Sequence, residues 1–218
     1  MNWERARTSD QQEHRSQEIL AAAAALFREL TYEEVSLNAI AREAGFAKSN
    51  IYRYFGSREE IFLHLYLDDF RAWADEFVEV LKTLPAETAA ERLAKVWLDV
   101  LMKHDRMLDL TPILGIALER NASEDALFHF KINSHRLLGE IITGLMVPLP
   151  MLDAQQGAAL VMRVHGLIAG LWPFSKPNET MEAVMRRPEL SSFTFDLHEL
   201  LRESIELFVR DIQLGTPS

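Results

Sequence analysis

Apolar positions along this chain recur three and four residues apart, and no run alternates as a half-buried strand would. A first helix is predicted from Gln12 to Leu30, with Ile19, Ala23, Leu26, Phe27 and Leu30 on one face, after a polar, mobile arm over residues 1–11. A second helix follows a Ser36 cap through Leu37, Ile40 and Ala41 and stops at Gly45. A third, short one covers Lys48 to Tyr54. Ser57-Arg58-Glu59-Glu60 has the S-x-x-E form of a capping box and opens a long fourth helix towards Leu84-Pro85.

Further caps punctuate the rest. Thr88-x-x-Glu91 predicts a start before Leu93, and Thr111-Pro112 predicts one with proline in the first helical position. Ser123 precedes a long helix broken at Val147-Pro148-Leu149-Pro150, Asp153-x-x-Gln156 opens the next, to about Leu171, and Asp196-x-x-Glu199 caps the last. Residues 175–194 read as a loose connection with one short helix after Asn178. The expected fold is all-α, about nine helices in two unequal parts: residues 12–58, a linker helix over 59–84, and residues 85–213.

Composition supports this and narrows function. Of 218 residues, 48% are hydrophobic and only nine are glycine, which favours helices. The absence of cysteine excludes disulfides and thiolate chemistry and suits a reducing cytosol. No apolar run reaches membrane-spanning length and no signal-like core follows Met1, so no membrane partner and a cytoplasmic location are expected. No Glu lies three residues before any of the seven histidines, and G-x-S-x-G, H-E-x-x-H and phosphate-cradling loops are missing. Neither an enzyme, a cofactor nor a metal site is expected.

The net charge of −10 looks wrong for a nucleic-acid binder, but it is unevenly spread. Arg42, Lys48, Arg53 and Arg58 share residues 42–58 with one acid, Glu43. Within 36–55, Ser36 caps a helix with an apolar face, Ala41 and Ala44 allow a close crossing, and Gly45 permits a left-handed turn. Ile51 and Phe55 give the next helix a buried edge, leaving Lys48, Ser49, Asn50, Tyr52, Arg53 and Tyr54 to face DNA.

The joint spacing of Ile40-Ala41, Ala44-Gly45, Lys48, Tyr52-x-Tyr54-Phe55 and Ser57-Arg58 resembles the tetracycline-repressor (TetR-like) family over residues 12–66. Three positions depart from its pattern: Thr31 stands for a glycine ending the first helix, Ala47 for a Ser/Thr cap, and Gly56 for varied residues. The resemblance implies phosphate contacts by Lys48, Tyr52, Tyr54 and Arg58. Ser49, Asn50 and Arg53 are the candidate base readers, arginine pairing with guanine and asparagine with adenine. Arg42, Arg5 and Arg7 read as solvated charges.

The resemblance also implies a homodimer built on the last two long helices, for which Val161, Gly166, Ile168, Gly170, Leu201, Ile205 and Phe208 are candidates, with ordinary core as the other reading. Between linker and dimer helices it implies a cavity for an unknown small-molecule effector. Trp97, Leu101, His104, Phe128, His135, His165 and Trp172 could line it or could be plain core. The expected function is a dimeric, sequence-specific repressor of operator DNA released by that effector. The alternative is a non-enzymatic helical adaptor that binds a protein through its acidic C-terminal part.

Overall fold

A computed structural model describes residues 2–193 and 195–215, with side chains described for 11–190 and 195–215. It contains ten α-helices and, among the described residues, no strand. The first four are α1 (Asn2–Glu29), α2 (Leu37–Glu43), α3 (Lys48–Ile51) and α4 (Arg58–Leu81). After them come α5 (Ala90–Leu101), α6 (Asp105–Ile113) and α7 (Glu124–Leu145). The last three are α8 (Ala154–Leu171), α9 (Glu179–Met185) and α10 (Leu197–Gln213). The chain forms two compact units, one of residues 1–68 and 114–133 and one of 69–113 and 134–218, so the division falls inside α4 and α7.

In the first unit, Ile19, Ala23, Val35, Ile40, Ile51, Ile61 and Phe62 are almost wholly buried. Phe62 receives Phe27 and Tyr32 edge-on, with centroids 5.3 and 5.1 Å away. Leu30, expected on the buried face of α1, is exposed, because the helix has already ended. The polar arm expected at residues 1–11 is instead helical from Asn2. It lacks glycine and proline, so nothing in it stops a helix from continuing.

Thr31 ends α1 without a left-handed residue. Its amide and hydroxyl both donate to a Glu34 carboxylate oxygen, at 2.8 and 2.9 Å, and its carbonyl accepts from Glu34 and Val35. The glycine usual there is thus replaced by a side-chain turn. The segment 114–133 packs in this unit too: the Tyr66 and Phe130 rings lie 5.9 Å apart.

The second unit is built around α5, whose Leu93, Ala94, Trp97, Leu98 and Leu101 are at most 2% exposed. Helix α10 lies along α5, and α8 packs on α6 and α10. Arg106 on α6 grips Asp69 at the start of this unit's part of α4 through two bonds of 2.7 Å. Gly157 on α8 marks the closest approach to α7, where a Cβ would stand 2.8 Å from Ile142 Cγ2.

Two predicted starts are corrected. Thr88 does not cap α5; its hydroxyl donates to the Pro85 carbonyl, and the capping position is Ala89 with no side-chain bond. Pro112 is not at a helix start but in the last turn of α6, which begins at Asp105. Proline cannot donate to the carbonyl four residues back, and after it the backbone widens into a π-helical turn, Leu114–Leu118, closed by Glu119 N to Leu114 O at 3.0 Å. The caps predicted at Ser36, Asp153 and Asp196 are all made by their side chains, Asp153 with Gln156 as a full capping box, and the short helix expected after Asn178 is capped by that residue.

These contacts set a stability test. Gly157→Ala forces Ile142 to move and should cost about 1–3 kcal/mol by urea denaturation. Gly139→Ala meets nothing within 4 Å and should stabilise α7 by about 0.5–1 kcal/mol.

Candidate DNA-binding site

The site is assembled from two helices too short to exist alone. Helix α2 begins on Ser36, whose hydroxyl accepts from Ala39 N at 3.1 Å, and it buries Ile40 and Ala41. It ends at Gly45, with φ of 72°, in a Schellman closure: Phe46 N donates to Ala41 O at 2.8 Å and Gly45 N to Arg42 O at 3.2 Å. The Arg15 guanidinium covers the Phe46 ring at 5.2 Å and so ties this turn to α1.

Helix α3 then starts from Ala47, which supplies no side-chain cap. Regular α-helix lasts only to Ile51; tighter turns carry the chain on, with Arg53 N to Asn50 O at 3.2 Å and Tyr54 N to Ile51 O at 2.8 Å. At about 100° per residue, Ile51 and Phe55 share one side. Both are buried, at 0% and 4% exposure. Lys48, Ser49, Asn50, Tyr52 and Arg53 are exposed, and Tyr54 is half-buried.

Arg42, Lys48 and Arg53 enter no ion pair among the described residues, so their charge is directed outward. The exposed α3 residues, with two cations, an amide, a hydroxyl and a phenol, can meet both phosphates and base edges.

Arg58 is placed otherwise than expected. One terminal nitrogen donates to the carbonyls of Tyr32 and Val35, each at 3.0 Å, and the other two nitrogens donate to Glu59 Oε1. Four of its five N–H groups are engaged inside the protein. The guanidinium also lies 4.1 Å from the Tyr32 ring centroid, and the Tyr32 hydroxyl donates to Glu59 at 2.9 Å. Burial, then the bond to Glu59, pushes the Tyr32 phenol up to about 12. Arg58 is therefore the clamp that fixes the 31–35 turn to α4. Its acceptors are backbone carbonyls 23 and 26 residues upstream, which no residue pattern displays.

Glu60, expected only as a capping residue, is 8% exposed. Its carboxylate accepts from Gly56 N at 2.7 Å and Ser123 N at 3.1 Å, and Ser57 Oγ caps its amide at 3.1 Å. Burial pushes its carboxyl up, but the Ser123 and Gly56 bonds together with nearby His64 outweigh it, holding the group below the usual carboxylate range.

The seven effector candidates do not form one set. Trp97 and Leu101 are core, Trp97 against Phe77 at 4.8 Å between centroids. His104 faces Glu76 at 3.3 Å, and the Trp172 indole donates to Asp109 at 2.8 Å, so both polar edges are engaged. Phe128 belongs to the first unit and is exposed, His135 is exposed on α7, and His165 is half-buried on α8. Sequence reasoning passed over Trp73: its indole N–H and that of Trp97 are buried without a hydrogen-bond partner among the described residues, as is Ser134 Oγ.

Among the dimer candidates, Leu201 and Ile205 are fully buried within the chain, and Val161 and Ile168 are nearly so, as the core reading of these residues has it. Gly166 and Gly170 face open space and Phe208 is half-buried. The exposed apolar residues of α8 and α10 are Met162 and Leu207, at 58% and 63%.

A capped helix, a tight glycine turn and a short helix with an outward polar face define a helix-turn-helix DNA-binding protein. Residues 19–65 match the family model described as bacterial regulatory proteins, tetR family. Residues 67–213 match the tetracyclin repressor-like C-terminal domain. The chain belongs to the TetR family of transcriptional regulators, which are non-enzymatic proteins that bind operator DNA and dimerise. No curated protein matches it.

Solved structures share the fold at low identity. The fatty acid degradation regulator FadR from Bacillus halodurans is 16% identical with a TM-score of 0.55, over 89% of this chain and 94% of that one. The TetR-family regulator PfmR from Thermus thermophilus is 19% identical with a TM-score of 0.54, over 88% and 97%. A TetR-family regulator from Mesorhizobium loti is 19% identical with a TM-score of 0.55, over 91% and 96%.

Salt titrations separate the two kinds of basic residue. Lys48→Ala should leave stability within about 0.5 kcal/mol and lower the slope of log K against log salt by about 1 per protomer. Arg58→Ala should leave that slope unchanged and cost about 2 kcal/mol in urea, as buried carbonyls lose a charged donor.

Proposed function

We propose that this protein is a cytoplasmic, dimeric repressor that holds operator DNA through the Lys48–Tyr54 surface and releases it on binding a small molecule. The observation that carries this reading is the outward face of α3. Lys48, Tyr52 and Tyr54 are assigned to phosphates, and Ser49, Asn50 and Arg53 to base edges. Arg58 is left out of the contacting set and is assigned to holding the face in place. The acidic remainder of the chain suppresses non-specific adhesion to nucleic acid.

One such face spans too few base pairs for useful specificity, so two half-sites must be read together. The exposed flank of α8 supports pairing between copies: Met162, Gly166 and Gly170 lie at helical spacing, with Leu207 exposed on α10. Residues 154–175 are also the one described segment long and apolar enough to cross a membrane. Burial of Leu160, Val164 and Ile168 in the chain's own core and the ion pair of Arg163 with Asp211 favour a protein interface instead. The two unpartnered indole N–H groups support an effector site in the second unit, because buried donors without acceptors cost about 1–3 kcal/mol each.

Mobility shift on the DNA upstream of the protein's own gene tests the reading. Specific retardation that weakens steeply with salt is expected; absence of retardation on every neighbouring intergenic fragment would overturn it. Leu207→Glu replaces an exposed side chain, so it should leave the fold intact while sedimentation shows monomers and retardation is lost.

A further inference from the structure

Glu60 does more than an N-terminal capping residue requires. In a capping box the carboxylate returns to the amide of its own cap, which here would be Ser57. Glu60 instead reaches one residue further back, to Gly56, and outward to Ser123. Gly56 directly follows Phe55, the buried end of the DNA-reading segment. Ser123 opens α7, its hydroxyl accepting from Ala126 N at 3.3 Å and its carbonyl from Leu127 N at 2.9 Å. One buried carboxylate therefore ties the exit of the reading surface to the start of a helix more than sixty residues away.

The partner segment gives this tie its meaning. Residues 114–133 pack in the first unit, yet the residues on either side, Ile113 and Ser134, belong to the second. The segment begins with the π-helical turn Leu114–Leu118, a widened backbone that can tighten to α-helix by moving one residue. Glu60 enters no ion pair among the described residues, and its charge is held chiefly by the bonds from Ser123 and Gly56, with a smaller contribution from nearby His64. Withdrawal of Ser123 would leave a buried carboxylate with one donated backbone bond, a state that favours release. Gly56 leaves no slack: a Cβ there would stand 3.1 Å from both carboxylate oxygens.

We propose that Glu60 is the latch through which segment 114–133 governs the reading surface. With the segment seated, both backbone donors are engaged and the Phe55–Gly56 exit is fixed; with the segment shifted, the carboxylate gives up Gly56 and the surface loosens. This rests on the DNA-binding reading above, but its first test does not use DNA.

Amide hydrogen exchange is measured on the full-length wild type, Ser123→Pro, Glu60→Gln and the double variant. Ser123→Pro removes the N–H that Glu60 accepts, and exchange across residues 54–57 should rise at least fivefold. The double variant should exchange there no faster than Glu60→Gln alone. Gly56→Ala tests the tie from the other end and keeps the test open should proline unfold α7: exchange across 120–127 should rise likewise. On the retarded upstream fragment, Ser123→Pro should weaken binding at least fivefold with an unchanged salt slope. Faster exchange confined to the mutated segment in both Ser123→Pro and Gly56→Ala would overturn the latch. Coupled exchange in a protein that retards no DNA would uphold the latch and sink the DNA-binding reading.

Discussion

The DNA-reading surface depends on one constraint: a four-residue helix cannot hold itself together. Nucleating a helical turn is unfavourable, and α3 has neither the length nor the side-chain cap to offset that. What holds it is the burial of Ile51 and Phe55 on one side, with the Gly45 turn before and the α4 start after. Two charged residues secure that start. Arg58 binds the turn leading out of α1, and Glu60 binds the residue that follows Phe55. The exposed residues of α3 are thus held from behind by Arg58 and Glu60, whose side chains are engaged within the chain.

The same division of labour explains why an acidic protein can bind DNA. Most carboxylates lie in the larger part of the chain, and many are partnered: Asp69 with Arg106, Asp109 with Lys176, Glu199 and Glu206 with Arg202. Arg42, Lys48 and Arg53, which enter no ion pair among the described residues, give a local positive field, and charges beyond a Debye length of them are largely screened. Net charge describes solubility and non-specific adhesion; the local arrangement decides where DNA sits.

Much of this was legible in the residues. The spacing of Ser36, Gly45, Ile51 and Phe55 is a local pattern, and every one of these residues does what the pattern implied. The caps at Asp153, Asn178 and Asp196 were equally readable, since each acts within three residues. Less was legible where a partner is distant or ambiguous. The acceptors that hold Arg58 are main-chain carbonyls, which leave no trace in residue type. Leu201 and Ile205 form an apolar stripe, but periodicity says only that a face is covered; both are fully buried within the chain. Pro112 suited a helix start, yet the apolar Met107, Leu108 and Leu110 before it gain more by burial in a helix. Large apolar residues with a few polar groups describe the lining of a small-molecule cavity, and a packed core fits that description as well.

The most direct test of the account is protection from hydrogen exchange when the full-length protein is bound to the upstream fragment it retards. Slowed exchange concentrated between Arg42 and Phe55, with residues 31–35 already slow in the free protein because Arg58 holds them, is the expected result. Protection that spares Lys48–Arg53 and appears elsewhere on the chain would contradict the account.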